Sequence, residues 1–237
     1  MTPDFKYETQ YFVQEGKANL ENCLAASFQA AIDHSIEKLV IFTGAGVGVR
    51  MAVEQFQSQP LYSGIQLIAV TFPHRSKLLP DSDGDHTVST DTRKFLQEHQ
   101  IPLVMAHMPF EPIESQYAGR GLLGQDLSLI GHALSIFCGS MSLCVQAVLM
   151  ACDAGHVDLG EHIICLTSDT SILVRAANTS RLLTDFIVRE IVCKPVLLTL
   201  GKGEKTTVAQ SPEDDVPQAA LGDLGQLPLL GSDSTGK

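Results

Sequence analysis

Three glycines alternate with small residues directly after a short apolar run. Gly44, Gly46 and Gly48 lie in the stretch FTGAGVGVR, between the strand-like residues 38–43 and residues 47–56, whose apolar side chains have helical spacing. Glycine has no Cβ, so backbone N–H groups can turn toward an anion, and the first turn of a helix adds the positive end of its dipole. The stretch is therefore typical of a phosphate- or carboxylate-binding turn, or of a tight turn between a strand and a helix.

The spacing of these glycines does not match the nucleotide-binding fingerprints. A dinucleotide site needs G-x-G-x-x-G, and its third glycine would fall on Val49 or, starting two residues later, on Met51. The acid that would bind the ribose is also missing, because the second predicted strand, residues 65–72, ends in Thr71-Phe72 and continues as Pro73-His74-Arg75. No Gly-Lys-Ser/Thr follows at the P-loop spacing either. The pattern disfavours dinucleotide binding and excludes a P-loop.

Two basic residues follow the second predicted strand. In a right-handed strand–helix–strand unit, the ends of the first two parallel strands meet at one edge of the sheet. His74 and Arg75 are therefore expected to lean toward the glycine turn and to supply charge to an anion there. The alternative is a solvated basic loop beside a tight turn, and the sequence leaves both open.

Composition limits the classes of function. The chain has 237 residues with a formal net charge of −11, which argues against a nucleic-acid partner because phosphate binding needs a basic face. Residues 127–152 lack charged side chains, but their serines and Gly139 indicate two core helices rather than a membrane span. The six cysteines form neither CxxC nor zinc spacing, which predicts no metal site and buried free thiols in a cytoplasmic protein.

Strand-like and helix-like segments alternate along most of the chain, which predicts an α/β fold with a mostly parallel sheet and helices on both faces. A helix is predicted over residues 180–191 and a closing strand over 193–200. Residues 1–202 are predicted to form one domain. Residues 203–237, rich in Gly, Pro and acids, are predicted to form a disordered tail.

The order of several motifs resembles a known family. EGKANLENCL, KLVIFTGAGVGVRMAVEQF, IQLIAVT, PLVMAH, VLMACDAGHVDLGEHIICL and FIVREIVCKP occur in this order over roughly residues 10–200. Together they resemble the stand-alone proteins similar to the C-terminal domain of pyruvate kinase. The resemblance implies a three-layer α/β/α fold with a mixed five-stranded sheet of order 3-2-1-4-5, the last strand antiparallel. It implies no pyruvate kinase activity, because the catalytic barrel has no counterpart in this chain.

The resemblance also implies a ligand and a place for it. The turn after the first strand, which holds a sugar-phosphate effector in pyruvate kinase, corresponds to residues 43–48. The implied ligand is a small phosphorylated molecule of the sugar-phosphate type or flavin mononucleotide as a cofactor, bound in a regulatory role. Its expected site lies between this turn and the one after the fourth strand. The predicted binding residues are Thr43, Gly44, Ala45, Gly46, Val47, Gly48, His74, Arg75, Thr167 and Ser168.

The sequence departs from the family after the fourth strand. Relatives have a glycine-rich loop there, whereas this chain has only Thr167-Ser168-Asp169-Thr170, and the carboxylate of Asp169 would repel a phosphate. Two alternatives to a binding module therefore stay open. One is an enzyme acting on such a ligand with His107 or Asp169 as acid or base. The other is an interaction module with a vestigial site. Each of the three functions is compatible with a homo-oligomer.

Overall fold

The structure, a computed structural model, describes residues 8–73, 88–110 and 125–196. Its strands are β1 (Gln10–Phe12), β2 (Lys38–Phe42), β3 (Gln66–Thr71), β4 (Leu103–Met105), β5 (His162–Leu166), β6 (Ser171–Arg175) and β7 (Ile187–Pro195). Its α-helices are α1 (Leu20–Asp33), α2 (Val47–Met51), α3 (Thr90–Glu98), α4 (Gln125–Ser135), α5 (Met141–Asp153) and α6 (Leu182–Asp185). A π-helical segment, Ala52–Gln57, continues α2.

The strands form one mixed sheet of order β1-β7-β6-β5-β2-β3-β4. β6 pairs antiparallel with both β5 and β7, whereas the other neighbours pair in parallel, so β6 alone is reversed. Within the sheet, β4-β3-β2-β5-β6 reproduces the predicted order 3-2-1-4-5 with an antiparallel last strand. The predicted total of five strands is wrong, because β7 and β1 extend the sheet to seven.

The alternation of side chains along the central strand divides the core into two layers. Leu39 and Ile41 of β2 pack in a cluster with α1, α2 and α3, whereas Val40 and Phe42 pack in a second cluster with α5. Successive side chains of a strand point to opposite faces, so each face of β2 needs its own helical cover. This arrangement is the predicted three-layer α/β/α architecture.

The long uncharged stretch forms two helices, as its serines and glycine predict. α4 ends at Ser135 and α5 begins at Met141, and all residues of α5 except Ser142, Leu143 and Asp153 are buried. A helix buried on nearly all sides needs no polar face, which explains the absence of charge. No helix in the described part of the chain is both long and apolar enough to cross a membrane.

The prediction for residues 180–191 is wrong. A short 3-10 turn and α6 end at Asp185, and Ile187–Pro195 form β7 between β6 and β1. The segment IVREIV contains four β-branched residues, which favour a strand once neighbouring strands are available. The predicted domain end at residue 202 and the tail 203–237 lie outside the described residues, and both stay predictions.

Candidate functional site

The turn after β2 is fixed by one backbone and one side-chain hydrogen bond. The Thr43 amide donates to the Val70 carbonyl oxygen at 2.8 Å, and the Gly46 amide donates to Thr43 Oγ1 at 3.0 Å. Gly46 then takes a left-handed φ of +94° as the N-terminal cap of α2. A Cβ on Gly46 would lie 2.2 Å from Thr92 Cγ2 of α3, so the close approach of α3 also requires glycine here.

The other two glycines of the turn are less constrained. A Cβ on Gly44 would meet nothing within 4 Å, and one on Gly48 would make ordinary contacts of 3.5 Å with Ile41 and Leu20. Geometry alone therefore explains Gly46 and leaves Gly44 and Gly48 without a steric requirement. The shape of this turn requires only one glycine, so the presence of glycine at the other two positions needs a different explanation.

The start of α2 leaves several backbone donors without a protein acceptor. Among the described residues, the N–H groups of Gly44, Ala45, Val47 and Gly48 make no hydrogen bond. The first N–H groups of a helix lack intrahelical acceptors, and they attract anions together with the helix dipole. Ala45 and Val47 are exposed, so this end of α2 is open to a ligand.

One cation near the turn was not singled out from the sequence. Arg50 Nη2 donates to Thr92 Oγ1 at 3.5 Å, and that hydroxyl donates to the Ala45 carbonyl oxygen at 3.2 Å. The Arg50 guanidinium also stacks over the Phe95 ring, 4.5 Å from its centre. Its position one turn after Gly46 in α2 was a usable signal. The predicted cations His74 and Arg75 lie outside the described residues, so their part in the site stays a prediction.

The turn between β5 and β6 lies beside the β2 turn, because β5 is the other parallel neighbour of β2. The Thr167 amide donates to the Thr170 carbonyl oxygen at 2.8 Å and closes a turn around Ser168 and Asp169. The Thr167 hydroxyl is buried and faces Asp169 Oδ1 at 3.5 Å and the Thr170 carbonyl oxygen at 3.4 Å. Of the two predicted hydroxyls on this turn, Ser168 is the one that is partly exposed and available to a ligand.

The carboxylate of Asp169 is buried and serves the fold. Only 3% of Asp169 is exposed. Its Oδ2 accepts from the Gly16 amide at 2.7 Å, and its Oδ1 accepts from the Thr170 hydroxyl at 3.0 Å. It forms no ion pair with any described residue. A carboxylate with its acceptors filled in this way anchors the segment before α1 rather than acting as a general base.

The second candidate for acid–base chemistry is remote. His107 follows β4, which is separated from β2 by β3, and its side chain is exposed. Neighbouring strands are about 4.8 Å apart, which places β4 roughly 10 Å from β2. The described residues therefore bring Thr43–Gly48, Thr167 and Ser168 together, but they do not bring His107 to the same turn.

The thiols are buried, as is expected for structural cysteines. All six are free and buried. The pKa of Cys23 is raised well above its ordinary value, mainly by its hydrogen bond to Cys193 and next by burial. The pKa of Cys144 is also raised well above its ordinary value, mainly by burial. Burial also raises the pKa of Cys138, so the start of α5 does not stabilise a thiolate there. No group of metal-ligating side chains occurs in the part of the chain that the structure describes.

Comparison with known proteins gives a weak similarity. No family model matches the chain. A crystal structure of Cryptosporidium parvum pyruvate kinase is similar at 13% identity and a TM-score of 0.32, over 70% of this chain and 24% of that one. Pyruvate kinase of the same organism in complex with ADP is similar at 12% identity and the same TM-score. The chain spans about a quarter of the length of these enzymes. At this level of similarity, the chemistry of the site rests on its own residues.

Proposed function

We propose that this protein is a binding module for a small phosphorylated ligand, with a regulatory role and no pyruvate kinase activity. The observation that carries the proposal is the row of unpaired N–H groups at Gly44, Ala45, Val47 and Gly48. A phosphate group offers several acceptor oxygens, and backbone donors at a helix start bind it without a basic side chain. The ligand would be of the sugar-phosphate type or flavin mononucleotide.

The topology supports the same place for the ligand. After β2 the chain continues to β3 on one side, and after β5 it continues to β6 on the other side. Open α/β sheets bind ligands in the crevice beyond the strand ends, at the point where the connections from two neighbouring strands go in opposite directions. The Ser168 hydroxyl then faces the phosphate from the β5 side, while Arg50 supplies positive charge from the α2 side.

Binding is favoured over catalysis because the candidate acid–base groups are not available. Asp169 is buried with its carboxylate oxygens hydrogen-bonded, and His107 lies two strands away. The alternative of an interaction module is supported by the edge strand β1, on which Tyr11 is 58% exposed. Self-association of the chain stays a prediction, as do the cytoplasmic location and the absence of nucleic-acid partners.

The test uses a charge placed among the unpaired amides. Val47 is 58% exposed at the first position of α2, so Val47→Asp fits without repacking and suits the helix dipole. Its carboxylate would occupy the amides and repel a phosphate. The matched control is Val47→Asn, which has the same shape without the charge.

Thermal unfolding is measured with flavin mononucleotide, fructose 1,6-bisphosphate and inorganic phosphate. A ligand at a hundred times its dissociation constant adds about 2.7 kcal/mol, which raises the melting temperature of a domain this size by roughly 5–10 °C. We expect this rise in the wild type and in Val47→Asn, and its loss in Val47→Asp. If no phosphorylated compound raises the melting temperature, or if Val47→Asp responds like the wild type, the proposal is wrong.

A further inference from the structure

A second cleft lies at the opposite edge of the sheet from the β2 turn. It has a volume of about 410 Å³, which is within the range of small-molecule sites. Its floor is apolar, formed by Ile36 and Leu173, and polar side chains surround it. The complete lining is His34, Ser35, Ile36, Glu37, Glu161, His162, Leu173 and Arg189. The amino ends of β2 and β5 and the start of β7 meet there, so nothing in this cleft overlaps the proposed phosphate site.

One wall of the cleft consists of hydrogen-bond donors. Arg189 Nη1 lies 3.1 Å from His162 Nε2. A guanidinium only donates, so Nε2 of His162 accepts and Nδ1 carries the ring hydrogen. Both side chains are exposed in the cleft, and the other N–H groups of Arg189 make no hydrogen bond to a described residue. A planar guanidinium with free N–H groups is the side chain that best holds a carboxylate.

Most of the acidic side chains around this wall are already paired. Glu161 Oε2 lies 3.0 Å from Lys38 Nζ and accepts from the Asp158 amide at 2.9 Å. Glu190, which adjoins the cleft, lies 3.0 Å from His34 Nε2. Glu161 thus pairs with Lys38 and Glu190 contacts His34, and neither acid forms an ion pair with Arg189.

The opposite wall has the opposite charge. α1 ends at Asp33 and presents the negative end of its dipole toward His34 and Ser35. The Ser35 amide donates to the Ile32 carbonyl oxygen and the Ile36 amide to that of Ala31, which turns the chain sharply and brings Glu37 to the rim. Glu37 is exposed and forms no ion pair with a described residue.

We propose that this cleft binds a small zwitterion of the amino-acid type. Arg189 and His162 would hold its carboxylate, and Glu37 with the end of α1 would hold its ammonium group. A ligand with a single charge would satisfy one wall and leave the other unpaired. The cleft therefore favours molecules that carry both charges.

The experiment measures binding of the standard L-α-amino acids at millimolar concentration by ligand-observed NMR, with acetate and methylammonium as ligands that carry one charge each. We expect at least one amino acid to bind and, in spectra that observe the protein, to shift the imidazole signals of His162. Arg189→Gln and Glu37→Gln should each weaken that binding by about tenfold or more, because each removes a charged hydrogen bond. Arg181→Gln is the control, since Arg181 pairs with Asp185 outside the cleft.

Three results would overturn the proposal. They are no binding of any amino acid, acetate binding as tightly as the amino acids, and unchanged affinity in Arg189→Gln. Arg189 and Glu37 are exposed, so the variants should keep the wild-type melting temperature, which shows that a loss of affinity is not a loss of folding. Val47→Asp should leave amino-acid binding unchanged, which separates this cleft from the phosphate site.

Discussion

At the β2 turn, Gly46 has a conformational role that its two neighbouring glycines lack. It has a positive φ, and Thr92 Cγ2 occupies the place where a Cβ would lie. The sequence predicted a glycine turn at this point but did not distinguish the three positions. That distinction depends on Thr92, which is 46 residues further along the chain and reaches the turn only when α3 packs beside α2.

We predict that Gly46→Ala destabilises the protein by about 2–4 kcal/mol, because left-handed strain and overpacking add. Gly44→Ala should cost less than about 1 kcal/mol, since a Cβ there has open space. Urea unfolding measures both. Thr92→Ser removes Cγ2 and keeps the hydroxyl that bonds Ala45, so the cost of Gly46→Ala should be smaller in that background. Equal costs for the two alanine variants would contradict this account.

The protein groups at the β2 turn that are available to a ligand were partly predictable from the sequence. Thr43–Gly48 were expected at the edge of the sheet, and they lie there, with the amides of Gly44, Ala45, Val47 and Gly48 unpaired among the described residues. Of the expected hydroxyls, that of Thr167 faces acceptors within its own turn. No local pattern distinguishes Thr167 from Ser168, because which of two adjacent side chains points inward depends on how the turn closes.

At the scale of elements, the segment before α1 is tied to the β5–β6 turn. The Gly16 amide donates to Asp169 Oδ2, a contact between residues 153 positions apart. The sequence predicted that Asp169 would repel a phosphate. It did not predict that Asp169 would accept a hydrogen bond from the Gly16 amide. The sequence offered no signal for it, because a hydrogen bond over this separation exists only after β7 and β1 have completed the sheet.

We predict that Asp169→Ala loosens this segment and costs about 1–3 kcal/mol, because it removes the acceptors of both the Gly16 amide and the Thr170 hydroxyl. The measurement is native-state hydrogen exchange. Protection of the Gly16 amide should be lost, while the middle of α1 stays protected. Asp33→Ala, at an exposed position in α1, is the control and should change neither. A protected Gly16 amide in Asp169→Ala would show that the carboxylate does not hold the segment.

Helix and strand were confused at β7 for a physical reason. The stretch FIVREIVCKP has charged residues in the middle of β-branched ones, which fits a helix face as well as an edge strand. Neighbouring strands decide the outcome: β6 and β1 supply hydrogen-bond partners on both sides. As a strand, the segment places Arg189 in the cleft at the amino ends of β2 and β5. The predicted helix over 180–191 gave no reason to expect Arg189 there.

At the scale of the whole molecule, the buried thiols couple stability to alkaline pH. Burial raises the pKa of Cys152 from its ordinary value of 9.0 to about 12, and the pKa values of Cys23, Cys138 and Cys144 are also raised. A raised folded-state pKa favours the protonated form in the folded protein. This contribution to stability is therefore complete below about pH 9 and is lost as the pH rises toward the folded values.

We predict that the free energy of unfolding falls between pH 8 and pH 10 by on the order of 1 kcal/mol for each such thiol. Urea unfolding at several pH values measures the slope. Cys152→Ala should show a shallower slope than the wild type, because one titrating thiol is missing from its unfolded state. The native protein should also leave all six thiols unreactive toward a disulfide reagent at pH 8. Rapid reaction of several native thiols would contradict their burial.

The sequence by itself determined the features that depend on local pattern. The alternation of apolar segments established an α/β fold, the uncharged stretch indicated two core helices, and the glycine stretch located a turn at the end of β2. The order of the five central strands was implied by the family resemblance. Tertiary structure alone decided the rest: the start of β7 at Ile187, the addition of β1, the burial of Asp169 against Gly16, the contact of Thr92 with Gly46, and the cleft lined by Arg189, His162 and Glu37. The physical reason is distance along the chain. Periodicity shows only which nearby residues share one face of a helix or strand. These contacts join residues that are far apart in the sequence and meet only when the elements pack together.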